Sequence, residues 1–493
     1  MLRPPRPPSL PRAGVDGARP RAAPRPPRAL AALAALGVLG GSSLAHAAGP
    51  LGPQGSTIGT SAYAIDFFQG PVLASSRITG LAGAAAAIAE GVDGMYSNPA
   101  APAVRVPWSY TSFDYDLSAG LTLPSTLAKT DFDNNGTRGF AYRNFVFVNL
   151  GATFQSGPFG FGVTADATSY RLDDDRSSVA RALSVDLGRF RVAAAYAFDR
   201  NQLVVGVGAR TGVLQLNTAG SDPQEIASLS AGAGLEAGAV YGPLALPSLR
   251  FALAVRGAVI TKLDPGADGL EPDAQGDRVV DGLYLPERVV QPWEAEAGVA
   301  WQLGRRPLNL PWDDPNAEAR ALVNAVRSAQ EARRARGEAE EPARRASEEA
   351  LVRRSREAVK AIRREAAERL PRRRLLLLAS VLASGPARGA VGVESFLVQR
   401  VDRSGERTSW TPRVAVEAEP APVPVKLRAG SYLEPTRFRQ GSPRLHGTAG
   451  LELRLFPWTV FGLWDEGTHW RASAFADAAR DYFAFGFSAG VWH

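Results

Sequence analysis

Long stretches of the chain alternate between apolar and small or charged side chains, residue by residue. Phe190, Val192, Ala194, Tyr196 and Phe198 are interleaved with Arg191, Ala193, Ala195 and Ala197; Phe251, Leu253, Val255 and Val259 are interleaved with Ala252, Ala254, Arg256 and Ala258. Leu445, Leu451, Leu453 and Leu455 fall on one face, with Arg444, His446, Thr448, Glu452 and Arg454 on the other. The last segment sets Phe483, Phe485, Phe487, Ala489 and Val491 against Tyr482, Ala484, Gly486, Ser488 and Gly490. A period of two is the signature of a β-strand, whose successive side chains point to opposite faces. These runs extend for roughly 10–16 residues, against the usual 5–6 of globular strands. One apolar face sustained over that length is what a strand facing lipid requires.

The pattern predicts about fourteen such strands. They lie near 108–122, 143–155, 158–172, 181–198, 202–216, 226–241, 248–262, 292–304, 374–401 (broken around Ser384–Gly389), 408–419, 423–434, 443–456, 468–478 and 481–492. Short connections such as Ser156–Gly157 and Asp199–Asn201 alternate with long ones such as Pro124–Tyr142 and Asp264–Gln291. The fold class is therefore all-β and transmembrane: an antiparallel outer-membrane β-barrel, closed because lipid offers no partner to an open edge. An array of soluble β-sandwiches is the competing fold, and it requires shorter strands with two apolar interior faces. Gly206, Gly208, Gly232 and Gly234 would weaken a sandwich core but are tolerated in a tilted barrel wall. The charged and polar candidates for facing the lumen are Arg256, Glu294, Glu296, Arg428, His446, Glu452 and Arg454.

Residues 315–371 break the pattern. Alanine, arginine and glutamate dominate from Asn316 to Arg336, Gly337–Pro342 interrupts, and Ala343–Leu370 resumes. Leu351, Ala358, Ile362, Ala366 and Leu370 form a narrow apolar stripe. This predicts an α-helical hairpin inserted after the eighth strand, within 305–373. With both chain ends in the periplasm, an insert after an even-numbered strand is periplasmic. It reads as a plug extension, a peptidoglycan contact or a docking site for a periplasmic partner, with a solvated spacer as the plain alternative.

The remaining features concern location. Ala29–Leu44 is apolar but too short and alanine-rich to span a membrane. It follows an Arg/Pro-rich stretch and ends in Ser42-Ser43-Leu44-Ala45-His46-Ala47, so residues 1–47 read as a secretory signal peptide with a long basic leader. Val15 is an alternative translation start. Arg3, Arg6, Arg12, Arg19, Arg21, Arg25 and Arg28 stand in this leader against Asp16 alone, and they account for most of the formal +7. The rest is nearly neutral, which argues against a nucleic-acid surface. Past residue 48 no apolar stretch approaches the ~20 residues of a membrane helix. The chain has no cysteine, hence neither a disulfide framework nor a thiolate metal site.

Residues 77–103 also depart from the strand pattern. They run Arg77-Ile78-Thr79-Gly80-Leu81-Ala82-Gly83-Ala84, then Ala85–Glu90, Gly91–Ser97 and Asn98-Pro99-Ala100. This resembles the N-terminal hatch of FadL-type outer-membrane transporters: an Arg-x-x-Gly-x-Gly-Gly-Ala-like start, a short helix and Asn-Pro-Ala before the first strand. Ala82 replaces the middle glycine. The resemblance continues at Leu285-Pro286-Glu287, at Trp293–Trp301, and at Leu427-Arg428-Ala429-Gly430-Ser431-Tyr432. It implies a hatch over 48–105, barrel strands over 106–304 and 374–493, and a gate formed by Arg77, Gly80, Gly83, Asn98, Pro99 and Ala100. A FadL-type barrel has a short turn where 305–373 lies, so the insert is a departure. A lumen this wide needs a plug, and Pro99 drives Asn98 out of helical geometry toward lumen partners. The bland alternative is that Asn98-Pro99-Ala100 merely leads into the first strand.

Chemical motifs are few. Asp131-Phe132-Asp133-Asn134-Asn135-Gly136 matches the first half of a calcium loop, with Asp131, Asp133 and Asn135 as oxygen donors. Its twelfth position is Tyr142 rather than glutamate, which excludes an EF-hand and leaves a looser calcium loop or a plain turn. No dinucleotide loop, metal-spaced histidine pair or Gly-x-Ser-x-Gly elbow is present, and no cofactor is expected. The resemblance implies passive uptake of hydrophobic small molecules, long-chain fatty acids or aromatic hydrocarbons, across a Gram-negative-type outer membrane whose lipid and lipopolysaccharide surround the barrel. A non-transporting secretion or surface scaffold is the alternative. An outer-membrane hydrolase is a third reading, for which nothing in the sequence asks.

Overall fold

The computed structural model describes residues 51–493 apart from 69, 107–108, 125–129, 138–141, 173–182, 219–224, 230–231, 263–271, 281, 339–340, 372, 421–423, 456–467 and 493. The described residues all belong to one compact unit. The expected signal peptide at 1–47 lies outside the described residues.

The alternating runs form the wall of a barrel. Its strands are β1 (Phe113–Pro124), β2 (Tyr142–Ser156), β3 (Phe159–Leu172), β4 (Leu183–Phe198), β5 (Leu203–Thr218), β6 (Glu225–Leu229 and Ala233–Tyr241) and β7 (Leu249–Arg256). They continue as β8 (Glu294–Leu303), β9 (Arg374–Ser384), β10 (Ser409–Glu419), β11 (Val425–Glu434), β12 (Arg444–Arg454), β13 (His469–Ala479) and β14 (Tyr482–Trp492). Each pairs antiparallel with the next, and β14 pairs with β1 from Asp116↔Trp492 to Pro124↔Ala484. The fourteen-stranded sheet therefore closes on itself.

Burial follows the alternation and inverts the rule for soluble proteins. Phe154, Phe161, Phe190, Leu253, Leu427 and Phe487 are exposed on the outside, whereas Asp116, Asn149, Thr153, Glu296, Arg428 and Glu452 are buried inside. That outer band is the surface a membrane-spanning barrel presents to lipid. No helix among the described residues is long and apolar enough to cross a membrane.

β1 begins and β14 ends at the same rim, here the terminal rim. The odd-to-even connections, among them those following β7 and β9, lie at the opposite, loop rim. Helices Pro315–Ala335 and Pro342–Glu368 connect β8 to β9 and so belong to the terminal rim. They are tied down by Ser112 Oγ donating to Asp314 at 2.5 Å and by Arg363 donating to the Asp313 carbonyl. Leu351 and Ile362 of the expected stripe are exposed. Leu370 and Ala366 instead line a recess with Trp312 and Arg105.

Two strand extents differ from expectation. The strand expected over 248–262 leaves the wall at Arg256, because Gly257 N–H donates to Leu235 O at 2.7 Å and Arg210 holds the Gly257 carbonyl at 2.8 Å. Val259, expected to face lipid, is buried. The strand expected over 374–401 ends at Ser384, and Val393–Leu397 is helical. Both departures supply a second sheet, in the order Val259–Lys262, Arg288–Gln291, Ala64–Asp66, Ala390–Val391, Arg403–Ser404. Its hatch strand, Ala64–Asp66, is parallel to both neighbours. All other members come from loop-rim connections, so this sheet is a lid anchored to the hatch. Beneath it Ile58, Tyr63, Ile65, Leu187, Leu216, Leu283 and Phe396 form an apolar core.

Candidate functional site

From the lid, the hatch runs through the lumen to the terminal rim as three short helical pieces, Ser76–Gly80, Ala86–Ile88 and Gly91–Met95, and a further turn at Ala101–Ala103. Its side chains are small, and the wall facing them is smaller still. A Cβ on Gly160, Gly162, Gly206 or Gly238 would overlap Pro102, Met95, Pro99 or Asn98 respectively. On Gly151 and Gly430 it would come within 2.6 Å of Val92 and 2.8 Å of Ala82. Gly80 and Gly450 touch backbone to backbone. These glycines thus mark where hatch and wall meet; of the four singled out by their place in the strands only Gly206 does so, while Gly208 lies against Val192 and Ala193, and Gly232 and Gly234 against Ile260 and Gly257. The turn after the first helix needs two left-handed residues in succession, Ala82 at φ 53° and Gly83 at φ 74°. Glycine adopts that conformation freely; alanine there costs about 1 kcal/mol.

Polar contacts fix the hatch at intervals. Asn98 is fully buried; its amide donates to Ala239 O at 3.1 Å and Leu253 O at 3.3 Å, and its oxygen accepts from Ala100 N–H at 3.0 Å. It therefore bridges the hatch to β6 and β7, while Pro99 packs on Gly206 and Ala100 is buried beside it. Arg77 pairs with Glu90 at 3.3 Å, and Glu90 with Arg250 of β7 at 3.1 Å. Asp93 meets Arg471 at 3.1 Å, which also holds Asp116 at 3.0 Å. Arg413 donates to Gly83 O at 3.2 Å and to Glu296 at 3.3 Å.

The lumen-facing candidates fall into three groups. Arg256 binds the Ser97 carbonyl and pairs with Glu294 at 3.4 Å and Glu296 at 3.5 Å. Arg428 lies between Glu417 at 2.8 Å and Glu452, and Lys426 adds a 2.7 Å contact to Glu452. His446 sits between Glu434 at 2.7 Å and Asp477 at 2.8 Å, stacked on Tyr432. Arg454 stands apart from these, half-buried at the terminal end of β12. Arg210, Arg250, Arg413, Glu417, Glu434, Asp477 and Arg471 were missed. Each is a charge on the small-residue face of a strand, the signal that singled out the others.

A cavity of about 100 Å³ lies between hatch and wall, lined by Phe67, Leu73, Ile78, Arg256, Glu294, Leu382, Thr411 and Arg413. Outside, a groove of about 600 Å³ crosses β8 to β12 and is lined by Val299, Val381, Pro412, Arg413, Val414 and Leu433. The two share Arg413. Pairing between β10 and β11 runs from Ala418↔Leu427 to Arg413↔Tyr432 and stops there, although β10 continues to Ser409. Pro412, next in line, has no N–H to offer a neighbour. The inner cavity and the outer groove thus both abut Arg413, at the point where the β10–β11 pairing stops.

At the loop rim, Asp131 accepts N–H bonds from Asn135 and Gly136, both at 3.0 Å, and the Asn135 amide donates to Glu394 at 2.9 Å. Burial foremost, then the charges of Asp131 and Asp402, hold the Asp133 carboxyl well above the usual carboxylate range. Burial, with Asp133 and Asp131, does the same to Glu394. Among the described residues no group of three acidic or imidazole side chains already stands at metal-binding spacing.

No protein-family model and no curated protein matches the chain. Among solved structures it is similar to a Pseudomonas aeruginosa FadL homologue at 12% identity, covering 86% of this chain and 99% of that one, with TM-score 0.46. It is also similar to the P. putida toluene transporter TodX, at 9% identity over 86% and 98% with TM-score 0.46. A third is the CymD monoaromatic hydrocarbon channel, at 11% over 86% and 96% with TM-score 0.42. The closed wall and the packing of residues 76–103 against its inner face are read from strand pairing and burial, independently of these likenesses.

Proposed function

We propose that the protein is an outer-membrane channel that passes hydrophobic small molecules, of the long-chain fatty acid or aromatic hydrocarbon class, by displacement of its hatch. The observation that carries this is the fit of the hatch onto the wall glycines, beside which the cavity at Arg256, Glu294 and Arg413 measures only about 100 Å³. Ligand pockets usually measure about 300–1,000 Å³, so a ligand enters only as the hatch yields. The hatch is held by apolar clusters around Ile78, Leu81 and Ile88 and also by hydrogen bonds and ion pairs, and the polar contacts can be exchanged one at a time. The break in pairing at Arg413, beside an apolar groove on the lipid side, gives an apolar ligand an exit that avoids water. The motif order Arg77 to Ala100, with its FadL-type resemblance, supports the same reading. Export by the leader at 1–47 and contact with lipopolysaccharide go with it.

Reconstitution into liposomes tests the proposal directly. Entry of labelled oleate or toluene should exceed that of protein-free liposomes and saturate, while a hydrophilic solute of similar mass stays out. Equal entry with and without protein would overturn transport. A surface or secretion scaffold acting through the helical insert would then take its place.

A further inference from the structure

The loop between β1 and β2 carries a calcium-like motif without its last glutamate, and a glutamate from another connection lies beside it. Asp131, Asp133 and Asn135 supply side-chain oxygens at alternate positions, and Gly136 at φ 87° makes the sharp turn. Tyr142 stands where such a loop would carry its last carboxylate. In space, Glu394 of helix Val393–Leu397, in the connection from β9 to β10, reaches Asn135 at 2.9 Å.

Asp133 is the telling residue. Both its carboxylate oxygens are shut off from solvent, and the neighbouring Asn135 N–H, which donates to Asp131 at 3.0 Å, leaves neither with a well-formed hydrogen bond. One lies 3.4 Å from where a Cβ on Gly392 would stand, two residues before Glu394. The nearby guanidinium of Arg444 is committed elsewhere, to Glu434 and to the carbonyls of Asp131 and Phe132. A buried carboxylate without a partner is costly unless an ion compensates it. Asp131, Asp133 and Glu394 are hard oxygen donors, a set suited to a hard divalent cation; Asn135, whose oxygen accepts from Thr137 and whose amide nitrogen donates to Glu394, adds a fourth once its amide turns over.

We propose that Asp131, Asp133 and Asn135 of one loop, with Glu394 of another, bind a single calcium ion at the loop rim. Because the acidic groups do not stand at ligand spacing beforehand, binding draws the two loops together. Ala390–Val391, just before Glu394, pairs with the hatch strand Ala64–Asp66. The ion therefore stiffens the lid through the strand that anchors the hatch.

The experiment uses the full mature chain, refolded in detergent free of lipopolysaccharide and stripped with EDTA. Isothermal titration calorimetry with calcium chloride should show one ion per chain, and calcium should raise the temperature at which the barrel loses its compact gel mobility. Magnesium should do so more weakly, since it demands a stricter octahedral geometry. D133N and E394Q should each weaken calcium binding by about tenfold or more. Without calcium, D133N should be at least as heat-resistant as the parent, because an uncompensated buried charge has gone. A residue with a purely structural role would give the reverse. Absence of binding up to about 10 mM calcium, a range that covers weak extracellular sites, would overturn the assignment. Parent-like affinity in both variants, or an equal response to magnesium, would do the same.

Discussion

Arginine and glutamate are paired in two parts of this molecule with opposite consequences. Inside the wall, Arg428 bridges Glu417 and Glu452, and Arg374 also reaches Glu417, with all four side chains nearly cut off from solvent. On the helices at the terminal rim, Arg345–Glu349 at 3.2 Å and Arg364–Glu368 at 3.0 Å are the same chemistry with more than half of each side chain exposed. Within the lumen each charge depends on its partner, because removing one leaves the other buried and uncompensated. On the helices water screens the loss. The difference is that lumen pairs dictate where strands and hatch sit, while helix pairs only decorate a solvated surface.

Breaking the lumen pairs should therefore cost most. Arg428→Ala leaves Glu417 and Glu452 without their shared partner and should destabilise the barrel by about 3–5 kcal/mol, read as an earlier loss of compact mobility on heating. Gly206→Leu comes next. Its side chain would occupy the place of Pro99, at a cost of about 1–3 kcal/mol, and protease should then reach the hatch in an otherwise intact barrel. Ala82→Gly runs the other way, relieving the left-handed alanine for a gain of about 0.5–1 kcal/mol. Arg364→Ala, on the exposed helix, should leave the heating profile unchanged. A shift there as large as that of Arg428→Ala would erase the contrast between the two regions.

Much of this was legible in the residues. Strict alternation in segments such as 481–492 fixes both strand and face, because a one-residue slip would send every phenylalanine inward. Strand parity likewise placed the helices at the terminal rim. What escaped was whatever depends on chain segments far apart in sequence. Val259 continues the alternation of β7 and nothing local announces that the strand turns inward; that turn is set by Arg210 gripping the Gly257 carbonyl. Gly206 reads as a weak strand position until Pro99 is seen against it. Glu394, 259 residues from Asn135, could not be joined to the loop motif by spacing. Pro412 was overlooked as well, although a proline inside a barrel strand is itself a signal for interrupted pairing.

The central claim is that the hatch closes the lumen, and planar-bilayer recording tests it most directly. The intact chain should insert with little ion conductance. A chain lacking residues 51–105, checked for compact gel mobility before heating, should open large steps through the lumen those residues had filled. Equal conductance from two folded barrels would contradict the account, since the pore would then be open with its hatch in place or shut by something else.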